Sequence, residues 1–471
     1  MTNLSHHFPD IKPDNGSRRE FLRRTGALSI AASATPWAMS LAAMGEAAAQ
    51  TATDYKALVC VFLYGGNDYA NTVVTYDQAN YDAYNAVRGG IALPRDSLNN
   101  TVLTPTTALP NGRSYALAPT LSPLMSIFNS GSLSVGLNIG TLVAPTTKAQ
   151  FTNNTVPRPP KLFSHNDQQS YWQSIAPEGA SSGWGGRMGD LLASSNGNST
   201  FTSVSVTGNA VFLSGNQTSQ YIMTDAGPVG VAGIKAPLFG SSACSSALQN
   251  LMTNPRTQLL EKTFTTITRR AIAANDQLSS ALSGVNVATA FPDGNSLASQ
   301  LRMVAKMIAA RNTVGAKRQV FFVSLGGFDF HDGLGGLGGN HAQRLATLSS
   351  ALAAFYQATK DMGVSKQVTT FTASDFGRTL NTNGDGTDHG WGGMHFAMGD
   401  SVRGKSFFGK APVAANDGPD DVGQGRLLPS TSVEQFGATM GKWFGVSPTD
   451  LQTVMPNLKN FSTTDLGFMA A

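Results

Sequence analysis

Residues 56–64, Lys-Ala-Leu-Val-Cys-Val-Phe-Leu-Tyr, are apolar almost without a break and run straight into Gly65-Gly66-Asn67-Asp68. A strand with one wet face alternates polar and apolar side chains. A run that does not alternate needs cover on both faces, as a central strand of a helix-flanked parallel sheet has. Similar runs at 132–138, 319–325 and 368–373 predict further strands. Helical patterns lie between them: Leu297, Leu301, Val304 and Ile308 mark one apolar face, and Leu345, Leu348, Leu352 and Phe355 another. Strands alternating with helices predict an α/β fold, a three-layer sandwich with a mostly parallel central sheet. Near the C-terminus, Thr431 and Glu434 have capping-box spacing ahead of a helix expected to bury Val433, Phe436, Met440 and Trp443. Residues 194–220, rich in Ser, Asn, Thr and Gly, read as an irregular excursion of the same domain.

The first fifty residues follow another rule. Ser17-Arg18-Arg19-Glu20-Phe21-Leu22-Arg23 precedes a modestly apolar, small-residue run from Thr25 to Met44 and then Ala47-Ala48-Ala49. Paired arginines, apolar run and small-residue cleavage site in that order read as a twin-arginine signal peptide cut after Ala49. The alternative is a basic N-terminal helix of a cytoplasmic protein. The expected division is a signal peptide over 1–49 and a single domain over 50–471. The export machinery is then a partner, and the mature protein is periplasmic or secreted. No later stretch is apolar over the roughly eighteen residues that a membrane span needs. The chain has 33 basic and 29 acidic residues, five and four of them in the first fifty, which leaves 28 against 25. A nearly neutral chain without a basic block argues against a nucleic-acid binder. Cys60, inside the first apolar run, and Cys244, in a Ser-rich loop, lack metal-site spacing and read as unpaired thiols.

Beyond the leader the histidines are His165, His331, His341, His389 and His395. Most sit in Gly-rich, strand-terminal settings beside Ser or carboxylates: Ser164-His165-Asn166-Asp167, Gly326-Gly327-Phe328-Asp329-Phe330-His331 and Asp388-His389-Gly390. In open α/β sheets ligands gather at the carboxyl ends of strands. Asp68 follows the first strand, Asp329 and His331 follow 319–325, Asp375 follows 368–373, and His389 lies in the loop beyond. If those strands are neighbours, three carboxylates and two imidazoles converge, a donor set suited to zinc, manganese or iron. Each piece also has a plain structural reading. Asp68 can cap a helix, Asp329 and His331 can pair in a turn, and Asp375 can brace its loop through Arg378.

The ordered set of motifs resembles the bacterial domain-of-unknown-function family 1501, whose members are usually exported by the twin-arginine route. The matching stretches are Phe62-Leu63-Tyr64-Gly65-Gly66-Asn67-Asp68, Ser164-His165-Asn166-Asp167-Gln168 with Trp172, Gly183-Trp184-Gly185-Gly186-Arg187, and the Asp329, Asp375 and His389 motifs. Gly425-Arg426-Leu427-Leu428-Pro429 and Trp443-Phe444-Gly445 extend the match. That family is similar to the alkaline-phosphatase-like superfamily of phosphatases and sulfatases, so the resemblance implies an alkaline-phosphatase-like fold and a divalent metal. By this resemblance Asp68 matches the superfamily's first Asp, Asp329 and His331 its Asp and His pair, Ser374-Asp375 the start of its Asp-His pair, and His389 its final His. Ser164 is the best placed nucleophile. Where the superfamily has Asp-His this chain has Asp375-Phe376, and a phenyl ring ligates nothing. One zinc or manganese ion is therefore expected in preference to two.

The resulting expectation is a metal-dependent hydrolase of phosphate or sulfate esters. Asp329, His331 and His389 hold the ion, with Asp68 and Asp375 available for a second. Ser164 or a metal-bound water attacks, His165 shuttles a proton, and Arg378 or Arg187 contacts the anionic ester. The alternative is an exported binding or structural protein that kept the fold and lost the full metal site.

Overall fold

The computed structural model describes residues 52–470, so the expected signal peptide over 1–49 and its expected cleavage after Ala49 lie outside the described residues. The first apolar run forms strand β1 (Lys56–Leu63), every residue after Lys56 buried. A small ribbon follows, β2 (Val73–Thr75) with β3 (Tyr115–Leu117), and helix α1 (Gln78–Arg88) lies between its strands. Then come β4 (Leu133–Gly140), helices α2 (His165–Ser174) and α3 (Trp184–Leu192), and short strands β5 (Ser203–Ser205) and β6 (Tyr221–Ile222). Helices α4 (Leu259–Leu282) and α5 (Ser296–Ala309), strand β7 (Arg318–Leu325), helix α6 (Asn340–Asp361) and strand β8 (Val368–Ser374) continue the alternation. A hairpin of β9 (Arg378–Thr382) and β10 (Thr387–His389) leads into β11 (Gly393–Met398), β12 (Ser406–Gly409), β13 (Thr431–Ser432) and helix α7 (Val433–Phe444).

The large sheet has the order β12-β4-β11-β8-β1-β7-β5-β6, with β13 beside β4. All its pairings are parallel except those of β11, which runs against both β4 and β8. The expected mostly parallel sheet is present, and the runs at 56–64, 319–325 and 368–373 are its three central neighbours. Their carboxyl ends are level, because Leu63 stands opposite both Leu325 and Ser374. The loops carrying Asp68, Asp329 and Asp375 therefore leave one edge together. The reversed β11 starts at that same edge and brings in the segment that ends with His389.

Alternate side chains of β1 enter two separate cores, as strand geometry requires. Ala57, Val59, Val61 and Leu63 pack with the buried faces of α5 and α6; Leu58, Cys60 and Phe62 pack with α3 and α7. The non-alternating sequence is thus explained by helices on both sides. Phe62 stacks on Phe322 at 5.9 Å within the second core, and truncating such a ring to Ala costs about 3–5 kcal/mol. Leu297, Leu301, Val304 and Ile308 are all fully buried, as are Leu345, Leu348 and Phe355, with Leu352 nearly so.

One local expectation shifts. The capping box before α7 is formed by Ser432 and Gln435, one residue later than Thr431 and Glu434. The helix starts at Val433, which makes Ser432 its N-cap: the Ser432 hydroxyl accepts from the Gln435 N–H, and the Gln435 side chain accepts from the Ser432 N–H. Residues 194–220 run through 3-10 turns and give β5 to the main sheet beside β7. Both cysteines are free thiols, Cys60 buried and Cys244 exposed. Among the described residues no helix is long and apolar enough to cross a membrane.

Candidate metal centre

The loop after β1 lies close against its neighbours. Gly65 (φ 113°) and Gly66 (φ 81°) both adopt backbone angles that favour glycine. A Cβ on Gly65 would overlap the Asp329 amide, and one on Gly66 would overlap the Phe376 ring. The Gly-Gly pair thus lets the three loops meet. Phe328 is buried, and its N–H donates to the Tyr64 carbonyl, which anchors the turn that presents Asp329.

His165 is the first residue of α2. Its Nδ1 lies 2.6 Å from Asp375 Oδ2, and its Nε2 lies 3.3 Å from Asp329 Oδ2. Asp375 is fully buried and is surrounded by donors. The Gly65 N–H reaches both its oxygens at 3.2 Å, and Gln169 Nε2 donates to Oδ2 at 2.8 Å. A carboxylate on Nδ1 fixes the proton there and leaves the Nε2 lone pair facing Asp329. That Nε2 is buried and has no hydrogen-bond partner. His389 repeats the arrangement, donating from Nδ1 to the Phe163 carbonyl at 2.7 Å, with Nε2 3.4 Å from Asp329 Oδ1. His331 has Nδ1 3.2 Å from Asp388 Oδ1 and Nε2 3.1 Å from Asp329 Oδ1. Three imidazoles, each with an acceptor on Nδ1, therefore direct Nε2 at one carboxylate. His165, Asp329 and His389 form the tightest group, their ligand atoms within 4.8 Å of one another. His331 stands at its open edge, 46% exposed, with Nε2 2.9 Å from that of His389.

Phe376 is the floor of this group. Its buried ring lies 4.9 Å from the His165 ring and 4.8 Å from the His389 ring. The His165 and His389 rings meet edge-on at 4.2 Å, and Phe376 packs against both as an apolar face. The donor set fits one divalent cation: two or three imidazole nitrogens, one carboxylate and an open side match a catalytic zinc or manganese site.

Asp329 and Asp375 meet at His165, whereas Asp68 lies apart from them. Each has its own cationic partner, which relieves their mutual repulsion. Asp68 accepts from Arg88, both side chains buried, and from the Asn71 N–H. Burial alone would raise the Asp68 carboxyl, but the Arg88 charge holds it below the usual range. Asp329 is bonded by Arg378. Burial pushes it upward too, and the Arg378 hydrogen bond and charge outweigh that and hold it low. Asp375 faces His165, whose pKa rises chiefly through that hydrogen bond. His389 is lowered, first by burial and then by the positive charges of His165 and Arg378.

The structure therefore brings Asp329, His331, His389, His165 and Asp375 together and turns Asp68 aside to Arg88. Arg378 is fully buried and donates to Asp329, to the Thr387 carbonyl and to the Gly65 carbonyl, so its guanidinium braces three loops. Arg187 caps the carbonyls of Ser174, Ser182 and Val454. Ser164 donates to Asp167 Oδ2 at 2.9 Å. His341 hydrogen-bonds Asn67, and burial drives its pKa down to about 4. His395 is buried against Trp172, and burial lowers its pKa to about 3. Gln169, Asp388 and the Phe163 carbonyl are not expected from the sequence. Gln169 carries a signal there, since it lies four residues after His165 and so on the same helix face.

The family model described as Protein of unknown function (DUF1501) matches residues 55–465. The chain belongs to this family. Among curated proteins none matches it in sequence. Solved structures do resemble this DUF1501 protein. Ps i-CgsB, in complex with k-i-k-neocarrahexaose, is 10% identical with a TM-score of 0.35, covering 87% of this chain and 77% of its own. The lipoteichoic acid synthase LtaP from Listeria monocytogenes is 11% identical with a TM-score of 0.30, covering 81% and 78%. The phosphonate monoester hydrolase of Agrobacterium radiobacter is 10% identical with a TM-score of 0.29, covering 84% and 74%. At these identities and TM-scores the likeness carries no argument, and the chemistry of this DUF1501 protein rests on its own side chains.

Proposed function

We propose that this protein is an exported hydrolase of phosphate or sulfate esters that works with one divalent cation, zinc or manganese. The observation that carries the reading is the set of three imidazoles around Asp329, each with Nδ1 engaged by an acceptor and Nε2 turned inward. His165, His389 and Asp329 would hold the cation, which when bound supplies Lewis-acid polarisation of the ester oxygens. Asp375 and the Phe163 carbonyl fix the two imidazole orientations. Phe376 keeps water from beneath them. His331, exposed and paired with Asp388, holds a proton for the leaving-group oxygen at the open edge. Ser164 is the nucleophile of this reading, with Asp167 as the acceptor of its hydroxyl proton.

A second reading has one observation behind it. Arg378 already neutralises Asp329, so the charge balance does not require a metal, as it would not in an exported binding protein that kept the fold. Elemental analysis of zinc- or manganese-loaded protein separates the two. The hydrolase reading expects about one ion per chain, lost in Asp329→Asn, and chelator-sensitive cleavage of p-nitrophenyl phosphate or sulfate. Loaded wild-type protein that retains no metal would leave the binding-protein reading.

A further inference from the structure

The largest group of exposed large apolar side chains on one element among the described residues lies on the first half of α4. Leu260, Phe264 and Ile267 are 84%, 60% and 61% exposed. They stand at helical spacing, and the same stripe continues through Ala274, Leu278 and Ala281, which are buried against the body of the protein. One apolar stripe thus runs the length of α4. Its second half is seated and its first half is not. Every residue from Thr257 to Phe264 is exposed, so the unseated half projects as a convex ridge, not a groove. The preceding helix, Ser242–Thr253, packs beside it, and Phe239, just before that helix, is 91% exposed.

Charge identifies what covers the ridge. Residues 232–282 hold Lys235, Arg256, Lys262, Arg269 and Arg270 against Glu261 and Asp276. Beyond the first fifty residues the chain has 28 basic and 25 acidic residues, so outside this excursion the charges balance at 23 each. The whole positive excess of the mature chain sits around its largest exposed apolar ridge. Lys262 and Arg269 lie on the helix face opposite the stripe, and Arg270 lies on its flank. A second copy of the chain, meeting this surface across a two-fold axis, would set positive charge against positive charge.

We infer that this helical excursion docks the protein on an anionic lipid surface, Leu260, Phe264 and Ile267 entering the interface while Arg270 on the flank meets the headgroups and Lys262 and Arg269 on the outer face add to the attraction of the negative surface. An amphipathic helix with bases on its polar face and a Leu/Phe face opposite lies in the plane of a bilayer in this way, held by apolar burial and headgroup charge together. The half-seated stripe gives a rigid mount for such a contact.

The test is co-sedimentation of the full chain with vesicles of equal phosphatidylglycerol and phosphatidylcholine, and with phosphatidylcholine alone. Binding should require phosphatidylglycerol and weaken as salt is raised. Leu260→Glu/Phe264→Glu should lower the bound fraction at least tenfold with an unchanged Tm, since both side chains stand in solvent. Lys262→Glu/Arg270→Glu should do the same while leaving any residual binding insensitive to salt. The N-terminal segment is present in every sample, so it cannot create the difference. Equal binding by wild type and both variants, or no wild-type binding, overturns the inference. So does a wild-type dimer in light scattering that the Leu260→Glu/Phe264→Glu variant turns into a monomer, which would make a second copy the occupant.

Discussion

Asp375→Asn keeps the shape of the side chain and removes one charge from the back of the histidine cluster. Asp375 Oδ2 accepts from His165 at 2.6 Å and Gln169 at 2.8 Å, and the Gly65 N–H lies 3.2 Å from both oxygens. An asparagine has one acceptor oxygen. If that oxygen faces His165 and Gln169, its NH2 faces the Gly65 N–H, donor against donor. The unmade buried bond costs about 1–3 kcal/mol of stability. Loss of the outer carboxylate of a metal-binding His typically weakens the metal by about 10–100-fold, or roughly 1.4–2.7 kcal/mol. In metal-free protein the His165 pKa, raised chiefly by the Asp375 hydrogen bond, should fall. Zinc titration calorimetry reads the affinity, thermal melting the stability, and NMR titration of the imidazole the pKa. A variant that binds zinc as tightly as wild type would refute His165 as a ligand held by Asp375, whatever happens to Tm.

Glu434 is buried on α7 with Oε2 unpartnered, and burial raises its pKa to about 8. The unfolded chain ionises it near 4.5, so the folded state keeps the extra proton between those values. Stability is fully present below the unfolded pKa and is lost as pH rises through about 8, on the order of 3–5 kcal/mol over the window. Glu434→Gln should flatten that decline in melts between pH 5 and 9; parallel wild-type and variant curves would count against it. Ser164→Ala should abolish ester cleavage while keeping metal content and Tm if Ser164 attacks, and retained turnover would assign the attack to water. Replacing Arg18 and Arg19 by Lys should hold the precursor in the cytoplasm, and unchanged export in cell fractionation would remove the twin-arginine reading.

The sheet is legible because burial on both faces leaves a one-dimensional mark: runs at 56–64, 319–325 and 368–373 without alternation. Level carboxyl ends come with parallel pairing, so the convergence of Asp329, Asp375 and His389 toward one edge is legible too. The choice of partners is not. That Asp68 turns to Arg88 depends on where α1 packs. That Arg378 pairs with Asp329 and not Asp375 depends on the β9–β10 hairpin, whose register sets Arg378 opposite His389. No spacing in the sequence encodes either. In the sequence Phe376 stands out by what it lacks, a ligand atom, whereas its effect comes from what its ring fills. Ser164 as sequence neighbour suggests a proton carrier at His165, although the spatial neighbours of that ring are carboxylates. The capping box stands one residue later than the spacing of Thr431 and Glu434 suggests, because α7 begins at Val433 and helix boundaries are the part of a local pattern that spacing places least well.

The place of β1 in the sheet bears on how the chain is made. Lys56 pairs with Arg318, and Ala57 with Val368. The ribosome therefore completes the central strand and then synthesises more than 250 further residues before either neighbour exists. At typical elongation rates that interval is on the order of tens of seconds. Throughout it this continuously apolar segment has neither sheet neighbour to join and must be shielded by transient collapse or by a chaperone. Every ligand proposed for the centre except His165 lies beyond that point in the chain, so the proposed site can be completed only once His389 has been made. Under the proposed function, a chain stalled before His389 would carry no metal.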